Sequence, residues 1–193
     1  MPLSKVTRIH KPKPSARGGR VYLRDLAPDD CKEFLLVVHS SREFHRPWVY
    51  PPETRAAFNA YLRGTKSGAC VRLLICRRSD DRIAGLASLS QIFRGGFQNA
   101  YLGFWASAEF AGQGYMTEGL PLVLRHVFKT LKLHRLEANV QPANEPSKGL
   151  IKRCGFRYEG FSPRYLKIGG LWRDHERWAM HRDDWLSRAG ARS

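Results

Sequence analysis

Phe104-Trp105-Ala106, followed by Ala111-Gly112-Gln113-Gly114-Tyr115-Met116-Thr117-Glu118, is the stretch whose reading decides the fold. The first part closes a strand-forming run, Ala100-Tyr101-Leu102-Gly103-Phe104-Trp105. The second turns the backbone through two glycines. From Gly114 to about Leu131, Leu120, Val123, Leu124, Val127 and Phe128 recur at helical spacing on one face. A strand, a glycine turn and a helix leave unpartnered N–H groups at the positive end of the helix dipole. Such a corner suits phosphate oxygens, because glycine allows close backbone approach. Two glycines also make an ordinary turn, and both readings stand at this point. There is no GxxxxGK[ST] loop, and Thr117 occupies the place of the third glycine of GxGxxG. What remains is a diphosphate cradle, and its context favours coenzyme A over a dinucleotide.

That context comes from the flanking residues. Upstream, Val21-Tyr22-Leu23-Arg24 reads as a strand. Pro28-Asp29-Asp30 opens a helix carrying Phe34, Leu35 and Val38, and a second helix runs from about Thr54 to Leu62. Val71–Cys76, Ile83–Ser90 and Ala100–Trp105 follow with short turns between them, as in an antiparallel meander. Downstream, Leu136–Val140 is a strand, Ser147–Arg153 a short helix, and further strands lie near Phe156–Tyr158 and Arg177–His181. The crossover from the third meander strand to Leu136–Val140 should be parallel and right-handed. The expectation is a mixed α/β fold, a partly antiparallel twisted sheet flanked by helices. One domain covers 19–193, after a basic, flexible arm over 1–18 with Pro2, Pro12, Pro14 and Gly18.

The 193 residues carry 33 basic and 17 acidic side chains, a net charge of +16, and six of the basic residues fall within the first twenty. Such a field attracts RNA, phosphorylated cofactors or acidic protein faces, unless it reflects only an arginine-rich composition. No apolar run is long enough to span a membrane, and no secretory signal opens the chain. Cys31, Cys70, Cys76 and Cys154 lack metal-binding spacing, so no metal is expected and a cytoplasmic address follows. His126 and His134 are placed on a solvated basic face.

The residues resemble the GNAT superfamily of N-acetyltransferases, whose cofactor loop reads [QR]xxGx[GA]. Gly114 matches its glycine, while Ala111 and Met116 depart from it. The ribosomal-protein-alanine acetyltransferase branch (RimJ and RimL type) is matched along nearly the whole folded length. Ser41-Arg42-Glu43-Phe44-His45-Arg46-Pro47-Trp48 and Phe93-Arg94-Gly95-Gly96-Phe97 are similar to its segments. So are Gly114-Tyr115-Met116-Thr117-Glu118, Asn144-Glu145-Pro146-Ser147 before Gly155-Phe156 and Glu159-Gly160, and Gly170-Leu171-Trp172-Arg173-Asp174-His175. The resemblance implies acetyl transfer from acetyl-CoA to a primary amine, the N-terminal Ala or Ser of a ribosomal protein.

It also implies roles. Phe104, Trp105, Ala106, Gly112, Gln113, Gly114, Tyr115, Met116, Thr117 and Asn144 would bind the cofactor. Ser147 would protonate the leaving thiolate, although Asn144 and Ser147 also have the spacing of helix-capping residues. The base stays open: the family's glutamate position falls on Asn139, with Glu137 two residues earlier and Glu118 in the first helical turn, while Asp174 or Glu176 would bind the substrate ammonium; Ser147, Asn144 and Glu118 are the catalytic candidates. Tyr165, Trp172, Arg173 and Asp174 would wall the acceptor groove. If the acceptor is a ribosomal protein, residues 5–20 would tether the chain to ribosomal RNA, and Arg125, Lys129, Lys132 and Arg135 would form a basic edge beside the active site. Two other readings remain: a small-molecule acetyltransferase for an antibiotic, polyamine or amino acid, and a ribosome- or RNA-associated factor that kept the fold but little catalysis.

Overall fold

The computed structural model describes residues 19–65 and 70–190. The expected arm over 1–18 lies outside the described residues. Among the described residues seven strands form one sheet: β1 (Val21–Asp25), β2 (Val71–Arg77), β3 (Ile83–Ser90), β4 (Asn99–Ala106), β5 (Arg135–Val140), β6 (Arg157–Ile168) and β7 (Leu171–His181). Their order is β1-β2-β3-β4-β5-β7-β6. Every neighbouring pair is antiparallel except β4 and β5, which are parallel as the intervening helix requires.

The helices are α1 (Cys31–Ser40), α2 (Arg42–His45), α3 (Arg55–Arg63), α4 (Tyr115–Arg125), α5 (Glu145–Cys154) and α6 (Arg182–Gly190). Side-chain alternation on β2 explains why both faces of the sheet are covered. Val71, Leu73 and Ile75 join the core containing Leu120, Val123 and Ile151 of α4 and α5. Leu74 and Cys76 join the core containing Phe34, Val38 and Phe58 of α1 and α3. An interior strand buried on both faces reads as a near-continuous apolar run, as Leu73–Cys76 does.

Two elements depart from the sequence expectation. The helix expected to reach Leu131 ends as α at Arg125 and widens into a π turn over His126–Thr130, closed by the Leu131 N–H on the His126 carbonyl at 2.9 Å. That turn buries His126, at 5% exposure, so it does not sit on a solvated face. His134 does remain exposed. The two late strands, expected as short pieces, form one long hairpin, with register shifts at Tyr158/Gly160 and Ser162/Leu166. These irregularities break the two-residue alternation that marks a strand in sequence, so backbone pairing alone reveals its length.

Candidate active site

β4 and β5 pair only where Asn99, Ala100 and Tyr101 meet Arg135, Leu136 and Glu137. Beyond that point β4 stays with β3 as far as Ala106, and β5 stays with β7 as far as Val140. The two strands therefore part, and alternate backbone groups of Leu102–Ala106 face a gap with no strand partner. The gap is a cleft of about 610 Å³ running from the α4 N-terminus to the β6–β7 hairpin, a size suited to a small-molecule ligand.

At one end stands the glycine corner. Gly112 and Gly114 adopt left-handed conformations with φ of 73° and 84°. A Cβ on Gly112 would meet nothing within 4 Å, so its backbone faces open space. Glu118 is the first residue of α4 whose N–H bonds back along the chain, to the Gly114 carbonyl at 3.1 Å. The N–H groups of Tyr115, Met116 and Thr117 are left without helical acceptors. Arg20 braces this corner: its Nη2 donates to the Gln113 carbonyl at 2.9 Å, and its guanidinium lies 4.6 Å from the Tyr115 ring centre. Phe104, Trp105, Ala106, Gly112, Gly114, Tyr115, Met116 and Thr117 all line the cleft. Gln113 does not: its side chain turns to the Glu109 carbonyl at 2.9 Å.

Asn144 and Ser147 line the middle of the cleft. Capping falls to Asn144, whose Oδ1 accepts the Ser147 N–H at 3.2 Å. The Ser147 hydroxyl takes no protein partner among the described residues. Asn139, opposite on β5, also lines the cleft, and its Oδ1 is buried without a partner. Arg153 is the lone lysine or arginine on the lining among the described residues.

At the other end the β6–β7 hairpin faces α2 and the loop after it. A Cβ on Gly169 would lie 2.4 Å from the Tyr50 ring, so the hairpin tip rests on that loop. Leu166, Ile168 and His175 face Phe44, His45, Trp48 and Val49 across the cleft. Both histidines are buried, which pushes their pKa values below the usual imidazole range. Each is tied by one nitrogen: His45 Nε2 donates to the Ala106 carbonyl and His175 Nδ1 to the Arg173 carbonyl, both at 2.9 Å. The Tyr101 and Tyr165 hydroxyls are hydrogen-bonded, and the Tyr165 ring lies 6.2 Å from that of His175.

Several expected site residues lie elsewhere. Glu118 is taken by Arg20, whose Nε and backbone N–H donate to its two oxygens at 2.6 and 2.7 Å, and it is absent from the cleft lining. Glu137 is buried in a network with Asn99 Nδ2 at 3.0 Å and Arg135 Nε at 3.1 Å. Glu176 accepts from Trp178 Nε1 at 3.1 Å, and Asp174 from the Arg164 N–H at 2.7 Å. Tyr165, Trp172, Arg173 and Asp174 are not on the lining, and Trp172 is 62% exposed. Trp172 and Asp174 share one face of β7, while His175 points the opposite way, into the cleft. That alternation was available in the sequence as a signal for His175. The basic edge also loses its place beside the site. Arg135 is engaged by Glu137 and Glu159. From Thr117 to Lys129 the helix runs roughly 18 Å away from the cleft at 1.5 Å per residue.

Comparison with known proteins agrees with this architecture. The acetyltransferase (GNAT) domain family matches residues 20–157. A Bacillus subtilis protein described as a probable N-acetyltransferase, YjcK, is 34% identical over 83% of this chain and 93% of its own. The Escherichia coli ribosomal protein uS5-alanine N-acetyltransferase is 30% identical over 92% of this chain and 96% of its own. The structure of Mycobacterium smegmatis RimJ in complex with CoA-disulfide superposes with a TM-score of 0.78 at 26% identity, covering 88% of this chain and 89% of the other.

Proposed function

Because the chain belongs to the GNAT acetyltransferase family and is an acetyl-CoA-dependent N-acetyltransferase, we propose that its acceptor is the N-terminal α-amino group, on Ala or Ser, of a ribosomal protein. The observation that carries this reading is the scarcity of carboxylates at the site. Glu145 is the lone acid on the cleft lining among the described residues; it is 75% exposed and held by Lys148 at 2.7 Å. A polyamine brings several cations, which are costly to bury without partners. A protein N-terminus brings one amine beside a small side chain, which suits walls made of Phe44, Trp48, Leu166 and Ile168. The name of the Escherichia coli relative supports the same acceptor.

In this reading the amides from Gly112 to Thr117 hold the diphosphate of acetyl-CoA, and Arg153 adds charge for a phosphate. An amide between Phe104 and Ala106 polarises the thioester carbonyl, and Ser147 gives a proton to the departing sulfur. An α-amino group has a pKa near roughly 7.7–8.0, so a neutral fraction exists at pH 7 and positioning supplies much of the rate. The remaining positive charge would favour approach to ribosomal RNA, with affinity falling steeply as salt rises.

Thiol release with acetyl-CoA and a panel of peptides beginning with Ala, Ser, Met or Lys, alongside spermidine, tests the acceptor. Ala and Ser peptides should exceed spermidine at least tenfold in kcat/KM. Spermidine as the better acceptor would overturn the proposal. No thiol release with any acceptor would favour a fold retained without catalysis.

A further inference from the structure

The candidate carboxylates Glu118, Glu137, Asp174 and Glu176 are each engaged by a named partner and none lines the cleft. The cleft instead holds two imidazoles. His45 Nδ1 is sealed from solvent and has no hydrogen-bond partner among the described residues, so it is closed to the cleft. His175 differs. Its residue is 3% exposed yet lines the cleft, and its Nδ1–H is fixed on the Arg173 carbonyl. Its Nε2 makes no hydrogen bond among the described residues and is not among the sealed, unpartnered atoms. In the neutral ring a protonated Nδ1 leaves the lone pair on Nε2.

We propose that His175 is the general base of the acetyl transfer, through Nε2, at the acceptor end of the cleft. The role rests on the acetyltransferase reading, not on which amine is used. Nε2 takes the proton that the acceptor nitrogen sheds as its C–N bond to the acetyl carbon forms and the C–S bond breaks. Ser147 Oγ–H protonates the departing sulfur and recovers a proton from solvent, and His175 then returns its own proton to solvent. The transfer is balanced without any co-reactant.

The ionisable groups around the ring are Tyr165 on β6, hydrogen-bonded to Tyr101 on β4, and Arg173 and Asp174 on β7. Burial lowers the His175 pKa and outweighs the opposing pull of the Arg173 carbonyl and Asp174. His175 is therefore neutral at pH 7 and ready to accept a proton. Activity that needs it neutral should be complete above about 6.5, the ordinary imidazole value, and fall as pH drops through the lower folded value.

His175→Asn keeps an N–H for the Arg173 carbonyl and removes the base. It should lower kcat by roughly 10²-fold, leave the acetyl-CoA KM within about threefold, and erase the acidic limb of the kcat/KM profile. The rise from the acceptor amine near pH 8 should remain. The assay uses whichever amine of the panel is acetylated, so a wrong acceptor and a wrong base give different results. A kcat within threefold of the parent, or an unchanged acidic limb, overturns the proposal. ¹⁵N NMR of histidine-labelled protein at pH 7 gives a readout independent of turnover. Nε2 of His175 should be unprotonated, and a proton found there also overturns the proposal.

Discussion

The two ends of the cleft are built from different materials. At the α4 end the groups that face the cleft are backbone amides, exposed because Gly112 and Gly114 take left-handed conformations and because a helix begins there. At the hairpin end they are side chains: Leu166, Ile168 and His175 on one wall, Phe44, His45 and Trp48 on the other. A backbone cradle tolerates variation in side chains, which is why Ala111 and Met116 can depart from the family loop pattern without removing the N–H groups. A side-chain wall changes its selectivity with each replacement. One end should thus be shared with relatives that use the same co-substrate, and the other should carry what distinguishes this chain.

The sharpest way to break that contrast is Gly114→Val. A β-branched residue at φ 84° is strained, and its Cβ would lie 3.0 Å from Arg20 Nη2. The expected outcome is loss of acetyl-CoA binding. The thermal shift seen at a ligand concentration of a hundred times Kd, worth about 2.7 kcal/mol by mass action, should vanish. Persistence of the shift would mean that the corner does not hold the diphosphate.

A smaller effect is expected at the middle of the cleft. Ser147→Ala should reduce kcat by roughly 10²-fold with acetyl-CoA affinity little altered. Asn144→Ala should instead cost about 1 kcal/mol of stability through loss of the helix cap. Kinetics and thermal unfolding measured on both variants separate chemistry from capping, and normal turnover in Ser147→Ala would remove its assigned role.

The smallest effect sharpens the acceptor end. Leu166→Ala should raise the acceptor KM by about tenfold, by analogy with losing part of an apolar pocket worth roughly 1–3 kcal/mol. Acetyl-CoA affinity should stay as it was. Trp172→Ala, on the outer face, should change stability by less than about 0.5 kcal/mol and leave the acceptor KM unchanged. A large KM effect at Trp172 with none at Leu166 would reverse the facing of the hairpin.

What the sequence determined by itself was everything encoded locally. The meander of β2, β3 and β4 was legible because short turns separate runs of strand-forming residues. The glycine corner was legible because strand, glycines and amphipathic helix follow one another directly along the chain. The capping pair Asn144 and Ser147 was legible from spacing, although only the structure shows that Asn144 does the capping while the Ser147 hydroxyl has no protein partner among the described residues. What tertiary structure decided was every contact between distant parts of the chain. Arg20 engages Glu118 across 98 residues, and Arg135 with Asn99 engages Glu137. The parting of β4 from β5 depends on each strand's opposite neighbour. His175 enters the cleft because β7 pairs with β5, the hairpin tip rests on the Tyr50 loop, and one face of β7 is thereby aimed inward. A carboxylate or imidazole acquires its role from the partners that reach it first, and in this chain those partners lie too far along the sequence for any local pattern to record them.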